Sequence, residues 1–189
     1  MPYTSAFSQT LAAGGISLAA MYPVIRGRLT AINGQPVVTA VTKDSEDSGD
    51  ESLNRELNLT VSETLPKGND LIEGDWWNTP AIAPWPVSVE SRLAERLGLG
   101  LGDKLTFTLA EGDVEAIVSS LRKVDWDSFQ PNFYMVFPPA ALAAFPASYL
   151  TAFHVPNERR DILNTLVKRF PTVVLIDVDA IMTQIRTLL

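Results

Sequence analysis

Alternation of apolar and polar residues marks several strands in the first two thirds of the chain. The residues from Val24 to Ile32 are β-branched or apolar around two arginines, and Asn33-Gly34 follows as a tight-turn dipeptide. Three further segments alternate in the same way, and the last two are joined as a hairpin through Ala110–Asp113: Leu57–Val61, Asp103–Leu109 and Val114–Ser119. Further strands are expected at Val37–Thr42, Val87–Glu90 and Phe133–Phe137. This part of the chain is therefore predicted to be rich in antiparallel sheet.

Helical spacing appears at both ends and once in the middle. An alanine-rich first helix runs up to Gly14-Gly15, and Ser91–Leu97 forms a short helix that ends at Gly98. After a strand at Tyr149–Val155, one amphipathic helix buries a face made of Ile162, Leu163, Leu166, Val167 and Phe170. A buried strand at Val173–Ile176 and a helix capped by Asp179 are expected to follow. The ends thus predict an α/β layer with helices on one face.

The two kinds of pattern predict an α+β fold of two subdomains. The first is expected to be discontinuous and made of residues 1–66 and 146–189. The second, residues 67–145, is richer in hairpin strands and is expected to interrupt the first.

The two ends of the sequence are relevant to whether it is a whole protein or part of a longer one. Residues 1–25 carry no charge, but no basic n-region precedes the apolar block, so we expect a packed helix rather than a signal peptide. The last helix runs to Leu188-Leu189 without a cap. We expect a domain cut from a longer chain; the alternative is a helix that docks with its last turn.

Composition excludes several kinds of chemistry. The formal net charge of −7 disfavours nucleic acid as a partner. No cysteine and only one histidine are present, which rules out a Cys/His zinc site, a thiol nucleophile and a disulfide scaffold. His154 has no Gly-x-Ser-x-Gly elbow to serve, and Asp44–Glu51 lacks the spacing of a calcium loop. We therefore expect no enzyme activity, cofactor or metal site.

Two further motifs are weighed against ordinary structural roles. The glycines of residues 98–103 follow a helix and open a strand, which is the reverse of a dinucleotide-binding loop, so we expect a tight turn. Asp125 and Asp127 flank Trp126 and could serve acid–base chemistry, but no second carboxylate pair or sugar platform accompanies them.

Aromatic residues are the densest special feature of the middle region. They form either the core of the smaller subdomain or a surface for an apolar ligand or partner. The residues expected to make such contacts are Trp76, Trp77, Phe129 and Phe133.

Several ordered motifs resemble the extracytoplasmic domains of MacB/LolC/FtsX-type ABC transporter permeases. The general motifs are Val87–Phe107, Leu71–Trp77 and Asn132–Leu142. Three others resemble the branch of predicted permeases associated with lysophospholipase L1: Val24–Gly34, Asn54–Thr60 and Ser120–Phe133. Each motif is short, but their order extends over most of the chain.

The resemblance implies a fold and a role. It implies a discontinuous porter-like α/β subdomain with an inserted, β-rich, sabre-like subdomain, placed in the periplasm between two transmembrane helices of a bacterial inner-membrane permease. A cytoplasmic ATPase subunit would move those helices. The domain would relay the movement to lipid-like or lipoprotein substrates, or to a periplasmic partner such as a lysophospholipase/thioesterase. The rival interpretation is a stand-alone binding module for a small apolar ligand, which predicts an enclosed, tryptophan-lined pocket.

Overall fold

A computed structural model describes residues 2–37 and 56–188. It is a mixed α/β structure that divides into two compact units, one made of residues 1–18 and 153–189 and the other of residues 19–152. The helices are α1 (Pro2–Ala13), α2 (Ser91–Leu97), α3 (Asp161–Arg169) and α4 (Val178–Leu188). The strands are β1 (Tyr22–Ile32), β2 (Gln35–Pro36), β3 (Leu57–Val61), β4 (Asn69–Gly74), β5 (Trp85–Glu90), β6 (Lys104–Leu109), β7 (Gly112–Val124), β8 (Met135–Phe137) and β9 (Ser148–Leu150).

The strands of residues 19–152 form a closed ring. The order β1-β3-β8-β5-β7 is completed by β6, which pairs with both β7 and β1. The β3–β8 and β5–β7 pairs are parallel, and the other four pairs of the ring are antiparallel. Closure leaves no free edge within the ring, so among residues 2–37 and 56–188 the edges without a second strand partner lie on β2, β4 and β9.

The inside of the ring is an apolar core. The alternating strand positions that point inward are fully or almost fully buried, and α2 adds Leu93 to the same cluster. Phe107 and Phe137 meet edge to face with ring centroids 5.4 Å apart. Alternation in the sequence therefore specifies this side of the sheet.

The unit made of residues 1–18 and 153–189, which we call the helical unit, has a small core of its own. Leu11 of α1 and Leu166 of α3 are fully buried, and Phe170 lies 5.3 Å from both Tyr3 and Phe7 in edge-to-face contacts between ring centroids. These contacts join the first helix of the chain to the third.

Most predicted elements are present, with shifted ends. The first strand begins at Tyr22, the hairpin strand β7 continues to Val124, and α2 occupies the predicted Ser91–Leu97 with Gly98 in the left-handed conformation. A 3₁₀ turn at Pro139–Leu142 follows β8. The strand predicted at Val37–Thr42 and the acidic segment Asp44–Glu51 lie outside the described residues, apart from Val37.

One prediction for the last forty residues is wrong, and two are confirmed only in part. Val173–Ile176 is not a buried strand: it has no strand pairing, and Val174 and Ile176 are 81% and 68% exposed. The helix α3 buries Leu166 but leaves Val167 54% exposed, and the strand expected at Tyr149–Val155 ends at Leu150. Short apolar runs do not distinguish a strand from a loop unless a pairing partner is available.

The two units also differ in extent from the two subdomains expected from the sequence. The strands β1 and β3 fall within the expected porter-like part, yet they belong to the same closed ring as the strands of residues 67–145. The unit formed by both chain ends is consequently smaller, and the porter-like and sabre-like assignments stay predictions.

Candidate functional site: the outer face of the ring

The outer face of β5, β7 and β8 carries an unusual set of buried polar residues. Along β7, the inward positions Val114, Ala116 and Val118 have even numbers. Val87 pairs with Val118 but Ser88 pairs with Ser120, so Ser119 is an extra residue in β7. This β-bulge reverses the alternation, and the even-numbered residues that follow it point outward.

Arg122 is the centre of this outer cluster. Its side chain is fully buried, and its Nε donates a hydrogen bond to Ser88 Oγ at 3.0 Å. One terminal nitrogen donates to Asn69 Oδ1 at 2.5 Å. The other donates to the carbonyl oxygens of Phe133 and Tyr134, both at 2.9 Å. A single guanidinium thus joins β4, β5 and the segment that leads into β8.

Burial and a nearby carboxylate shift the pKa of Arg122 in opposite directions. Burial lowers the pKa of Arg122 to about 10, and the negative charge of Glu90 partly offsets that effect. The guanidinium therefore stays protonated at neutral pH. Glu90 is itself 2% exposed, and its Oε2 accepts a hydrogen bond from Leu93 N at 2.7 Å, which caps the start of α2. Both charges are held by structural contacts.

After β4, the chain crosses the outer face. Asp75 N donates to Ser119 O at 3.3 Å, directly at the bulge of β7. Gly74 has a φ of +77°, and a Cβ at this position would collide with Ser119 O. Glycine permits both the turn and the close approach of the two backbones.

Two tryptophans complete the crossing. The indole nitrogens of Trp76 and Trp77 donate to Glu63 O at 2.8 Å and Ser62 O at 2.9 Å, just after the end of β3. The rings lie against each other with centroids 4.0 Å apart. We call Asp75–Trp77 the crossing segment, because it runs from β7 past β5 and β8 to the residues that follow β3.

A second covering segment follows β7. We call Asp125–Asn132 the aromatic loop. Its first residue is anchored where Asp125 N donates to Gly68 O at 2.9 Å, and Trp126 packs on Tyr134 with ring centroids 4.8 Å apart. The loop therefore leaves the sheet beside the start of β4 and returns over Tyr134.

The four expected contact residues divide into two groups. Phe133 is 4% exposed and forms a small buried cluster with Tyr22 and Val136, against which the half-buried Trp76 and Trp77 pack. Phe129 is not a member of that cluster and is 69% exposed. The structure thus brings three of the four together as a covering layer and leaves Phe129 in solvent.

The other motifs that the sequence analysis considered do not form a site among the described residues. His154 is exposed and lies outside a regular strand. The glycine turn is closed by Asp103, whose pKa is lowered by hydrogen bonds from Asn33 Nδ2 and Gly100 N. Across residues 2–37 and 56–188, no group of acidic or histidine side chains is placed to hold a metal ion, and none of the helices in these ranges is both long and apolar enough to cross a membrane.

The unit made of residues 19–152, which we call the strand unit, has two open grooves elsewhere on its described surface. One, of about 540 Å³, is bordered by β1, β9 and the turn between β6 and β7. The other, of about 550 Å³, includes Trp85 and Phe145. Trp85 is the one tryptophan in these two linings, and both grooves are open, whereas the binding-module interpretation expects an enclosed pocket lined by several tryptophans.

Sequence reasoning missed the Arg122 cluster. The sequence does contain one signal. If the alternation of β7 is continued beyond Ser119, Arg122 falls at a position where a buried side chain is expected. On the neighbouring strand, Ser88 and Glu90 alternate with Val87 and Val89, which is the ordinary pattern of a half-exposed strand. Four of the groups that Arg122 contacts lie 11 to 53 residues away along the chain, so no local motif indicates them.

One comparison with known proteins finds a relative at the level of sequence. No family model matches the chain. It is 46% identical over 164 residues to the uncharacterized ABC transporter permease YbbP of Escherichia coli K12, a region that is 87% of this chain and 19% of that protein. A solved domain of a candidate permease protein from Porphyromonas gingivalis covers 82% of this chain and 70% of its own, with 14% identity. Its TM-score of 0.37 is too low to support an argument about architecture.

The sequence match is therefore the informative comparison. The relative is named as a permease and not as an enzyme, which agrees with the expectation of a non-enzymatic protein. The match does not distinguish the MacB/LolC/FtsX branches. The chain spans about a fifth of the length of the relative, and over that fifth it is similar to an ABC transporter permease.

Proposed function

We propose that the chain is the periplasmic domain of an inner-membrane ABC transporter permease of a bacterium. The observation that carries this proposal is the 46% identity over 164 residues to part of YbbP. The ordered motifs of the MacB/LolC/FtsX type, and of its branch associated with lysophospholipase L1, support the same assignment.

In this proposal the domain relays movement and performs no chemistry. A separate cytoplasmic ATPase subunit hydrolyses ATP and moves the transmembrane helices of the permease. The domain passes that movement to a lipid-like or lipoprotein substrate, or to a periplasmic lysophospholipase/thioesterase.

The strand unit has the stiffness that a relay requires. A closed ring cannot open at an edge, and its packed interior resists compression. On the outside, Arg122 and the crossing segment join strands that are not neighbours in the ring. Displacement of one strand is therefore transmitted to the others.

The expected contact residues have separate roles in this proposal. Phe129 is the residue that meets a partner or substrate, because its ring is 69% exposed. Trp76, Trp77 and Phe133 have a structural role, because they pack together on the outer face of the ring.

Single-cysteine labelling in the full permease tests the location. The sequence has no cysteine, so Ile82→Cys at a 79% exposed position introduces a unique thiol in this domain. A membrane-impermeant maleimide should label it in cells whose outer membrane alone is permeabilised. Ala116→Cys, fully buried inside the ring, is the matched control and should stay unlabelled until the protein is denatured.

Two results contradict the proposal. One is labelling of Ile82→Cys only after the inner membrane has been lysed, which would place the domain in the cytoplasm. The other is a gene that encodes no membrane-spanning helix on either side of this domain.

A further inference from the structure

We infer that the aromatic loop is a preformed docking projection for a periplasmic protein with an apolar cavity bordered by Lys or Arg. The inference rests on the proposed function, since it requires a periplasmic location and a partner. It adds the surface that makes the contact and the chemistry of the partner's surface.

The first observation is the exposure of large apolar rings at the tip of the loop. Phe129 is 69% exposed and Trp126 is 39% exposed, three residues apart in one short loop. Phenylalanine is among the residues most often buried, and aromatic side chains dominate the binding energy of protein interfaces. The fold itself gains nothing from placing Phe129 in water.

The second observation is that the loop has a fixed shape. Asp127 N donates to Asp125 Oδ1 at 3.1 Å, and Ser128 Oγ donates to the carbonyl of Asp125 at 2.8 Å. Asn132 Nδ2 donates to the same carbonyl at 3.1 Å, so both ends of the loop are tied together. A loop that is already ordered loses little conformational entropy when it binds.

The third observation is that the loop stands on the buried cluster. Trp126 packs on Tyr134, and the carbonyl oxygens of Phe133 and Tyr134 both accept hydrogen bonds from Arg122. The buried guanidinium therefore fixes the platform under the loop. The segment that carries the exposed Phe129 therefore begins and ends on supported residues.

Charge selects a protein over a lipid surface as the occupant. Asp125 and Asp127 flank Trp126 and are both exposed, and the strand unit has 18 acidic against ten basic residues over residues 19–152. Lys67 and Lys123 lie next to the base of the loop, whereas the only charged side chains within the loop are the carboxylates of Asp125 and Asp127. An anionic bilayer would repel this surface, whereas a protein cavity with a basic border complements it.

Binding measurements on the purified chain test the inference. The probe is a purified lysophospholipase/thioesterase, the partner class of the proposed function, and the second probe is vesicles of phosphatidylethanolamine and phosphatidylglycerol. Phe129→Ser should weaken binding of the enzyme by at least about tenfold. Asp127→Lys should weaken it and reduce its dependence on salt, because a favourable charge contact is reversed.

The control is Ile82→Ser, which removes an equally exposed apolar side chain from the same unit and should leave affinity within about twofold. Thermal unfolding of all variants checks that the fold is retained. The inference is overturned if the wild-type chain does not bind the enzyme, if Phe129→Ser binds as well as wild type, or if Phe129→Ser abolishes binding to vesicles instead. None of these outcomes affects the cysteine-labelling result, which decides the proposed function separately.

Discussion

The two sides of the strand ring are built on different chemistry. The interior is apolar, with Phe107, Leu105 and Leu59 fully buried among other aliphatic side chains. The outer face under the crossing segment contains a buried arginine, a glutamate and two serines besides the aromatic rings of Tyr22 and Phe133. The residues of both sets are buried, but only the outer cluster is held together by side-chain hydrogen bonds.

This difference separates adaptability from specificity. An apolar core tolerates changes that conserve volume, because dispersion and the hydrophobic effect have no direction. The outer cluster requires each donor to meet its acceptor, because an unpaired buried polar group is costly. The interior is therefore expected to accept conservative substitutions, whereas the outer cluster fixes where the covering segments lie.

The largest effect is expected inside the ring. Phe107→Ala removes a fully buried ring and its edge-to-face contact with Phe137, so the free energy of unfolding should fall by about 3–5 kcal/mol. Urea denaturation followed by far-UV circular dichroism measures this loss. Phe129→Ala, which shortens an exposed phenylalanine, is the control and should change stability by less than about 0.5 kcal/mol.

A loss of similar kind but different origin is expected at the outer cluster. Arg122→Met keeps much of the side-chain volume but removes the donor to Asn69 Oδ1 and to the carbonyl oxygens of Phe133 and Tyr134, and the positive charge near the buried Glu90, at a cost of about 3 kcal/mol. Arg92→Met, at an exposed position of α2, is the matched control. If the two variants unfold at the same urea concentration, the buried guanidinium does not hold the outer face.

A smaller effect isolates one bond of the crossing segment. Trp77→Phe removes the donor to Ser62 O but keeps an aromatic ring, so stability should fall by about 1 kcal/mol. The measurement is again the urea midpoint, with the m-value as a check on two-state behaviour. A variant as stable as wild type would mean that ring packing alone holds the segment.

The smallest effect is a pH dependence on the outer face. Burial raises the pKa of Tyr22 above its usual value, so the folded protein retains this proton at pH values where the unfolded chain loses it. Stability from this group is therefore complete below a pH of about 10 and is lost as the pH rises through the folded-state pKa. The difference in stability between wild type and Tyr22→Phe should change between pH 8 and pH 10.5; a constant difference would contradict the assignment.

The interior could be predicted from the sequence because its signals are local. Leu105, Phe107 and Leu109 alternate with polar residues on one strand, and the same pattern opens β7. The helix α2 was placed correctly because Gly98 ends it and the apolar spacing is short and regular. Neither inference required knowledge of a partner strand.

The outer face could not be predicted, because one inserted residue decides it. Without the bulge at Ser119, the alternation of β7 would point Arg122 into the apolar interior. Nothing in the residues around Ser119 marks a bulge, and the partners of Arg122 come from three other parts of the chain. Of the candidate contact residues, aromatic density suggested all four, but only the three-dimensional arrangement separates the exposed Phe129 from the buried Phe133.

Gly74 gives the crossing segment a signature that a sequence search can use. Its backbone conformation and the nearness of Ser119 O leave no room for a side chain, so a chain that crosses its sheet at this point is restricted to glycine there. The pattern to look for is a glycine at a strand end, one polar residue, and two adjacent tryptophans that can donate from their indole nitrogens. A permease sequence with another residue in place of the glycine would have to route this connection differently, and its outer face would be covered by other means.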